Sequence, residues 1–266
     1  KYYGDGINSD IKTSWEVHRM QWLPSVAYKA GQEIDVAMAN EVLAVIISYF
    51  DSHRIGKSIA WMEGIEVSLR SISIIETLIH IRELNSDHSK ITEICSWLAC
   101  SADWIEANLS TKWRVNNNHL LLELVGLGVI ARVIPGHPRS KKWREKSERM
   151  LRREIVEQTV SGRNWEPTTA YHRFVTEAML VLHHYRCGQN IPNKNDIIFS
   201  TTNELFMTLI DLSDKENKMP LIGDDDAGIV IPMSSVDLDV EDNSRVLSLG
   251  KRLGFEKGDI SRGAKI

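Results

Sequence analysis

From residue 12 to residue 212 apolar side chains recur at three- and four-residue spacing. Eight stretches carry that period: IKTSWEVHRMQWLPSVAYKA, IDVAMANEVLAVIISYF, WMEGIEVSLRSISIIETLIHI, ITEICSWLACSADWIEANL, NHLLLELVGLGVIARVI, KKWREKSERMLRREIVEQTV, AYHRFVTEAMLVLHHYRC and DIIFSTTNELFMTLIDL. A period near 3.6 predicts helix. Breaks at Gly31, Gly56, Asn85–Asp87, Pro135–Gly136, Gly162 and Gly188–Asn190 separate the stretches, so each is a helix of about five turns. Short connections favour antiparallel neighbours, and the eight helices are expected as four hairpins in a bundle, solenoid or ring. After Pro220 the texture changes. LIGDDDAGIVIPM and SSVDLDVED alternate like short strands, and the Gly- and Lys-rich tail GKRLGFEKGDISRGAKI is expected to be loosely ordered. The expected division is a helical domain over residues 1–219 and the start of a β domain, or a linker, over 220–266.

The stretch RVNNNHLLLEL (114–124) adds an anomaly: Asn116, Asn117, Asn118 and His119 stand at the mouth of a helix that leucine makes apolar nearly all round. One asparagine suffices as an N-cap. Similar out-of-character groups sit in SWEVHR (14–19), AWMEGIEVSLR (60–70) and WEPTTAYHR (165–173). From Trp15 to Trp61 to Asn118 to Tyr171 the intervals are 46, 57 and 53 residues, each close to one hairpin. The four clusters therefore fall near the N-terminal ends of alternate, parallel helices. At such ends backbone N–H groups and helix dipoles favour an anion, and Asn117, Asn118, His119, Tyr171, Trp15, Trp61 and Arg70 are expected to share one cleft. Three pairs have intrahelical spacing: His119 with Glu123, Glu66 with Arg70, and Glu16 with Arg19. A carboxylate beside His119 would set its tautomer.

Composition narrows the class. A net charge of −4 and pI near 6.2 argue against a nucleic-acid binder; the basic run RSKKWREKSERMLRR (139–153) reads as a solvated helix face with interspersed Glu145 and Glu148. Cys95, Cys100 and Cys187 match no zinc or redox spacing. No apolar run is long enough for a membrane span, and the polar opening KYYGDGINSDIK lacks a signal-peptide core and reads as a chain entered mid-protein. The oligomeric state is left open.

In DIKTSWEVHRMQWL, WMEGIEVSLRSIS, NNNHLLLELVGLG, the run from Trp143 through WEPTTAYHRFV, and IGDDDAG, the sequence resembles the heparinase II/III-like and alginate-lyase-like polysaccharide lyases of bacteria. The resemblance spans about residues 10–228 in this order and spacing. It implies an all-α (α/α) toroid, here incomplete and lacking its first helices, followed by the beginning of a C-terminal β-sandwich. It further implies β-elimination on uronic-acid-containing acidic polysaccharides such as glycosaminoglycans or alginate, in the periplasm or outside the cell, with the cytoplasm as alternative. Asn118 matches the asparagine that neutralises the uronate carboxylate, His119 the adjacent active-site histidine, and Tyr171 the tyrosine acting as catalytic base or acid. Trp15, Glu16, Arg19, Glu66, Arg70, Glu123 and Glu166 match positions that line or brace the cleft. The sequence departs from the family pattern at Ala60 before Trp61, at Thr168 and Thr169 before the tyrosine, and in having no histidine after His184. The histidine such lyases take from the sandwich, and a zinc site if there is one, are expected outside this chain. No cofactor is expected within it, and the 266-residue chain is expected to be inactive alone. Two other classes compete. A glycoside hydrolase would need two carboxylates, Glu166 with Glu123 or Glu66, and would leave Asn118, His119 and Tyr171 without a task. A glycan-binding protein of a surface-polysaccharide pathway would keep the cleft without turnover.

Overall fold

The computed structural model describes residues 11–84, 87–111, 117–187, 193–224, 228–231 and 242–255. Its helices are α1 (Ile11–His18), α2 (Leu23–Glu33), α3 (Val36–Ser52), α4 (Gly64–Ile81), α5 (His88–Ala107), α6 (Asn118–Val133), α7 (Ser140–Glu157), α8 (Thr169–Cys187), α9 (Ile197–Leu212) and α10 (Ser244–Arg252). A 3₁₀ turn at Ile59–Trp61 precedes α4.

Two layers organise them. Helices α2, α4, α6 and α8 pack side by side, and each is backed by the helix that follows it, α3, α5, α7 and α9. This repeat of inner and outer helices is that of an (α/α) toroid. The layers differ in how much they bury. Helix α4 buries 14 of its 18 residues and α6 buries 13 of 16, whereas α7 buries only six of 18. Hence α7 shows a clear polar face while the inner helices are apolar nearly all round. Three hydroxyls inside α4 are satisfied locally: those of Ser71, Ser73 and Thr77 donate to the carbonyls of Val67, Leu69 and Ser73 at 2.7, 3.0 and 2.7 Å. Gly126 lets α6 approach α4 closely, since a Cβ there would lie 2.5 Å from the Ser68 side chain.

The helical reading of the sequence is met, with four local differences. The first stretch divides into α1 and α2 around Met20, which has φ +54°, because Pro24 lacks an amide proton and is suited only to the first turn of a new helix. Gly31 is no break: it lies within α2, where a Cβ would be 2.6 Å from the His80 carbonyl oxygen, and the helix ends instead at Ile34 in the left-handed region. The sixth stretch stops at Glu157 and continues into a hairpin, β1 (Thr159–Val160) against β2 (Arg163–Asn164). Ser161 and Gly162, both with positive φ, form its two-residue turn. After Pro220 the described residues run as an extended strap and then α10, with an isolated bridge between Lys218 and Asp242. Most of SSVDLDVED and the end of the tail lie outside the described residues. Val246, Leu247 and Gly250 of α10 are buried, joining a small cluster with Phe206 and Phe255. That apolar anchoring turns part of the Gly- and Lys-rich tail into helix. Among the described residues no helix is long and apolar enough to cross a membrane.

Candidate active site

The cleft is built at the N-terminal ends of the inner helices, and their caps decide what faces it. At α6 the Asn117 side chain accepts from the His119 amide at 3.2 Å, and the Asn118 amide donates to Glu166 Oε1 at 3.0 Å. At α8 Thr168 Oγ1 accepts from the Tyr171 amide at 3.0 Å. With these main-chain donors occupied, Asn118, His119 and Tyr171 line a common cleft. Glu63, at the N-cap position of α4 with no side-chain cap bond, lines it too, and its Oε2 lies 3.9 Å from His119 Nδ1. From α1 and its end come Trp15, Glu16 and Arg19; Ile65, Glu66, Phe174 and Gly228 complete the wall of a cleft of about 650 Å³ measured out to its open mouth.

Seven of the residues singled out in the sequence are thus brought together: Trp15, Glu16, Arg19, Glu66, Asn118, His119 and Tyr171. Five are not on the wall. Trp61 is 2% exposed, with its indole N–H donating to the His53 carbonyl at 2.8 Å. Arg70, 1% exposed, lies over the Trp61 and Tyr49 rings at 4.9 and 5.4 Å and donates to the His18 carbonyl at 3.3 Å. Burial pulls the Arg70 pKa below its usual value, with Tyr49 and Glu66 opposing that shift. Asn117 is a cap, and Glu166 is a brace between α6 and the loop entering α8. Glu123 is fully buried and accepts from the Ser110 amide and hydroxyl at 2.7 and 2.6 Å. Desolvation pushes its carboxyl up to about 7 against the lowering effect of those two bonds. Asn116 lies outside the described residues.

The expected ion pairs are replaced as well. Arg19 reaches across to α4 and grips Glu66 with both arms of its guanidinium, at 2.7 and 2.8 Å. Such a bidentate pair is stronger than the single contact an i,i+3 or i,i+4 neighbour offers. The carboxylate nearest His119 is likewise Glu63, not Glu123. Nor does the mouth of α6 offer open amides for an anion, since its first N–H groups are capped. His172 is structural: Nδ1 accepts from the Asn164 amide at 3.2 Å and Nε2 faces the Leu205 carbonyl at 3.1 Å, and burial holds its pKa down to about 4.

Four wall residues were missed: Glu63, Ile65, Phe174 and Gly228. Glu63 and Phe174 had a readable signal, since Glu63 precedes α4 by one residue and Phe174 follows Tyr171 by three, on the same helical face. Gly228 closes the motif IGDDDAG, but no helical spacing aimed it at the cleft, because it comes from the strap. Both backbone amides of Val230 and Ile231 donate to Glu177, at 3.1 and 3.2 Å, and Arg173 donates to the Gly228 carbonyl at 3.3 Å. From the other side Gln21 donates to the carbonyls of Ile229 and Val230. The strap thereby joins α8 to the link between α1 and α2. Among the described residues no His, Cys, Asp and Glu group could hold a metal ion.

Residues 3–229 match the family model described as heparinase II/III N-terminus. The solved heparan sulfate lyase HepC from Pedobacter heparinus superposes with a TM-score of 0.61 at 20% identity, over 84% of this chain and 35% of that one. A solved heparinase III gives a TM-score of 0.61 at 19% identity, over 82% of this chain and 38% of that one. The chain therefore spans little more than a third of the length of these structures, and their likeness establishes the fold. No curated protein sequence matches it.

Proposed function

The chain belongs to the heparinase II/III family, and from that membership we propose that it is part of a polysaccharide lyase cleaving uronic-acid-containing glycans by β-elimination. The observation that carries this reading is the meeting of Asn118, His119 and Tyr171 on one cleft wall from two separate helices. In the proposed reaction the Asn118 side-chain amide hydrogen-bonds the uronate carboxylate as charge develops on it, which lowers the cost of removing the C5 proton. Tyr171 and His119 move protons between C5 and the glycosidic O4. The C5–H bond electrons become the C4–C5 double bond, the C4–O4 bond breaks, and O4 leaves protonated.

The hydrolase pairs named in the sequence, Glu166 with Glu123 or Glu66, lose support because Glu123 and Glu166 are off the cleft wall and held by Ser110 and by the Asn118 amide. Glu66 is already gripped by Arg19. The test is to follow ultraviolet absorbance of the C4–C5 double bond with the whole protein on alginate, glucuronan and heparan-type polymers. A rise in absorbance is expected with one of them. New reducing ends without that absorbance would establish hydrolysis instead, and saturable binding without either product would establish a glycan-binding protein.

A further inference from the structure

We propose that the junction between the end of α1 and the end of α3 is an acid-sensitive latch on the cleft, opened by protonation of His18. His18 is the last residue of α1, whose Trp15 and Glu16 line the cleft together with Arg19 just beyond it. Two rings at the end of α3 receive it. The Tyr49 hydroxyl lies 3.2 Å from His18 Nδ1, and the His53 ring meets the His18 ring edge-on with centroids 4.9 Å apart. His53 is itself stacked on Tyr49 at 4.4 Å, and its Nδ1 donates to the Tyr49 carbonyl at 2.9 Å. From α4 comes Arg70, which is 1% exposed, lies 5.4 Å over the Tyr49 ring and donates to the His18 carbonyl at 3.3 Å. One tyrosine ring thus gathers two imidazoles and a sealed guanidinium.

This arrangement suits a neutral His18. A neutral ring with its proton on Nε2 leaves Nδ1 to accept from the Tyr49 hydroxyl, whereas a protonated ring donates from both nitrogens and forces that bond to turn round. The new charge also lies against Arg70 and the His53 imidazole, in a half-buried site. Burial, then His53, then Arg70 hold the His18 pKa below its usual 6.5, while Glu66 opposes them. Glu66 is already committed to Arg19, at 2.7 and 2.8 Å. Because the folded-state pKa is lowered, the contribution of the neutral ring is complete above pH 6.5 and is lost as pH falls below it. Protons have access, since His18, Tyr49 and His53 line an open groove with Trp22 and Val45. Acid therefore loosens the end of α1, and with it the wall that Arg19 ties to Glu66.

The experiment is amide hydrogen exchange on the 266-residue chain at about pH 7.5 and about pH 5, corrected for intrinsic exchange rates. The Arg19 and Met20 amides, which donate to the Trp15 and Val17 carbonyls at 3.1 and 3.3 Å, report on the end of α1. Amides within α6 report on global unfolding. Protection at Arg19 and Met20 is expected to fall roughly tenfold or more on acidification. His18→Gln keeps an acceptor for the Tyr49 hydroxyl and takes no proton, so the fall should vanish there while α6 responds as before. His53→Gln should shrink it, because one neighbouring cation fewer lowers the cost of protonating His18. Unchanged protection at Arg19 and Met20 in the unaltered chain overturns the inference, and so does a fall that persists in full in His18→Gln. The unaltered chain also gives a test that needs no variant: the His18 ring resonance should titrate with the same midpoint as the loss of protection, and different midpoints sink the proposal.

Discussion

The two walls of the cleft use polar residues in opposite ways. On the α1–α4 wall Arg19 holds Glu66, and behind it Arg70 is sealed against aromatic rings and donates to the His18 carbonyl. On the α6–α8 wall Asn117, Glu166 and Thr168 satisfy the main chain, so the side chains of Asn118, His119 and Tyr171 line the cleft. On the first wall the bidentate Arg19–Glu66 pair is tied into the fold. The second presents chemistry on helices held by residues that take no part in it. Changes at the Arg19–Glu66 pair should therefore cost stability, and changes on the second wall should cost function.

The largest effect expected is on the second wall. In the whole protein Tyr171→Phe should lower turnover by about 10²–10⁴-fold through loss of proton transfer. Asn118→Ala should lower it by about 10²–10³-fold through loss of a donor to the developing charge. Both variants should unfold within about 1 kcal/mol of the unaltered protein, as urea titration would show. A stability loss matching the activity loss would erase the distinction between the walls.

On the first wall Glu66→Ala removes the carboxylate that the largely buried Arg19 guanidinium grips with both arms, which should cost about 3 kcal/mol. Denaturation of the double variant Arg19→Ala/Glu66→Ala sharpens this. Its loss should be smaller than the sum of the two single losses, and strict additivity would show that the pair is not coupled.

Titration extends the comparison to the buried groups behind the cleft. Glu123 is raised to about 7 from 4.5. The folded chain therefore holds its proton more tightly, and the contribution of this carboxyl, complete below pH 4.5, is lost as pH rises to about 7. His172 and His183 are lowered to about 4 from 6.5, in each case chiefly by burial. Their contribution is complete above pH 6.5 and is lost as pH falls to about 4. With two histidines opposing one glutamate, stability should fall on acidification through this window. Glu123→Gln should make the fall steeper, by up to about 3 kcal/mol, and raise stability above neutrality. Urea midpoints measured across the range check the sign; a shallower fall in Glu123→Gln would refute it.

The smallest effect is at the brace. Glu166→Ala removes the acceptor of the Asn118 amide and should cost about 1 kcal/mol, whereas Glu166→Gln keeps an acceptor oxygen and should cost less. A tenfold or greater fall in turnover for Glu166→Gln would move Glu166 from brace to participant.

Much of the fold was legible because helix period survives in composition. The stretches from IDVAMANEVLAVIISYF onward each gave one helix, and the near-hairpin spacing of the four clusters anticipated that Trp15, Asn118 and Tyr171 meet at one cleft. The hairpin at 159–164 and helix α10 were hidden, since a two-residue strand carries no period and a nine-residue helix depends on what its few apolar residues meet. In the site, Trp61, Arg70 and Glu123 shared the right sequence neighbourhood but not the right direction. On helices buried nearly all round, no polar stripe marks which face turns to the cleft.

By itself, then, the sequence determined most of the helices, their grouping into hairpins, and the end at which its unusual residues gather. These follow from local periodicity and from counting residues between helix starts. Only the tertiary structure decided which carboxylate meets which cation, which candidates sink beneath the wall, and that Gly228 from a strap closes it. Arg19 had Glu16 within its own turn, yet it binds Glu66, 47 residues away. Helical spacing makes a contact available, but a partner presented with bidentate geometry in a dry site holds the guanidinium more strongly than a neighbour on a wet helix surface.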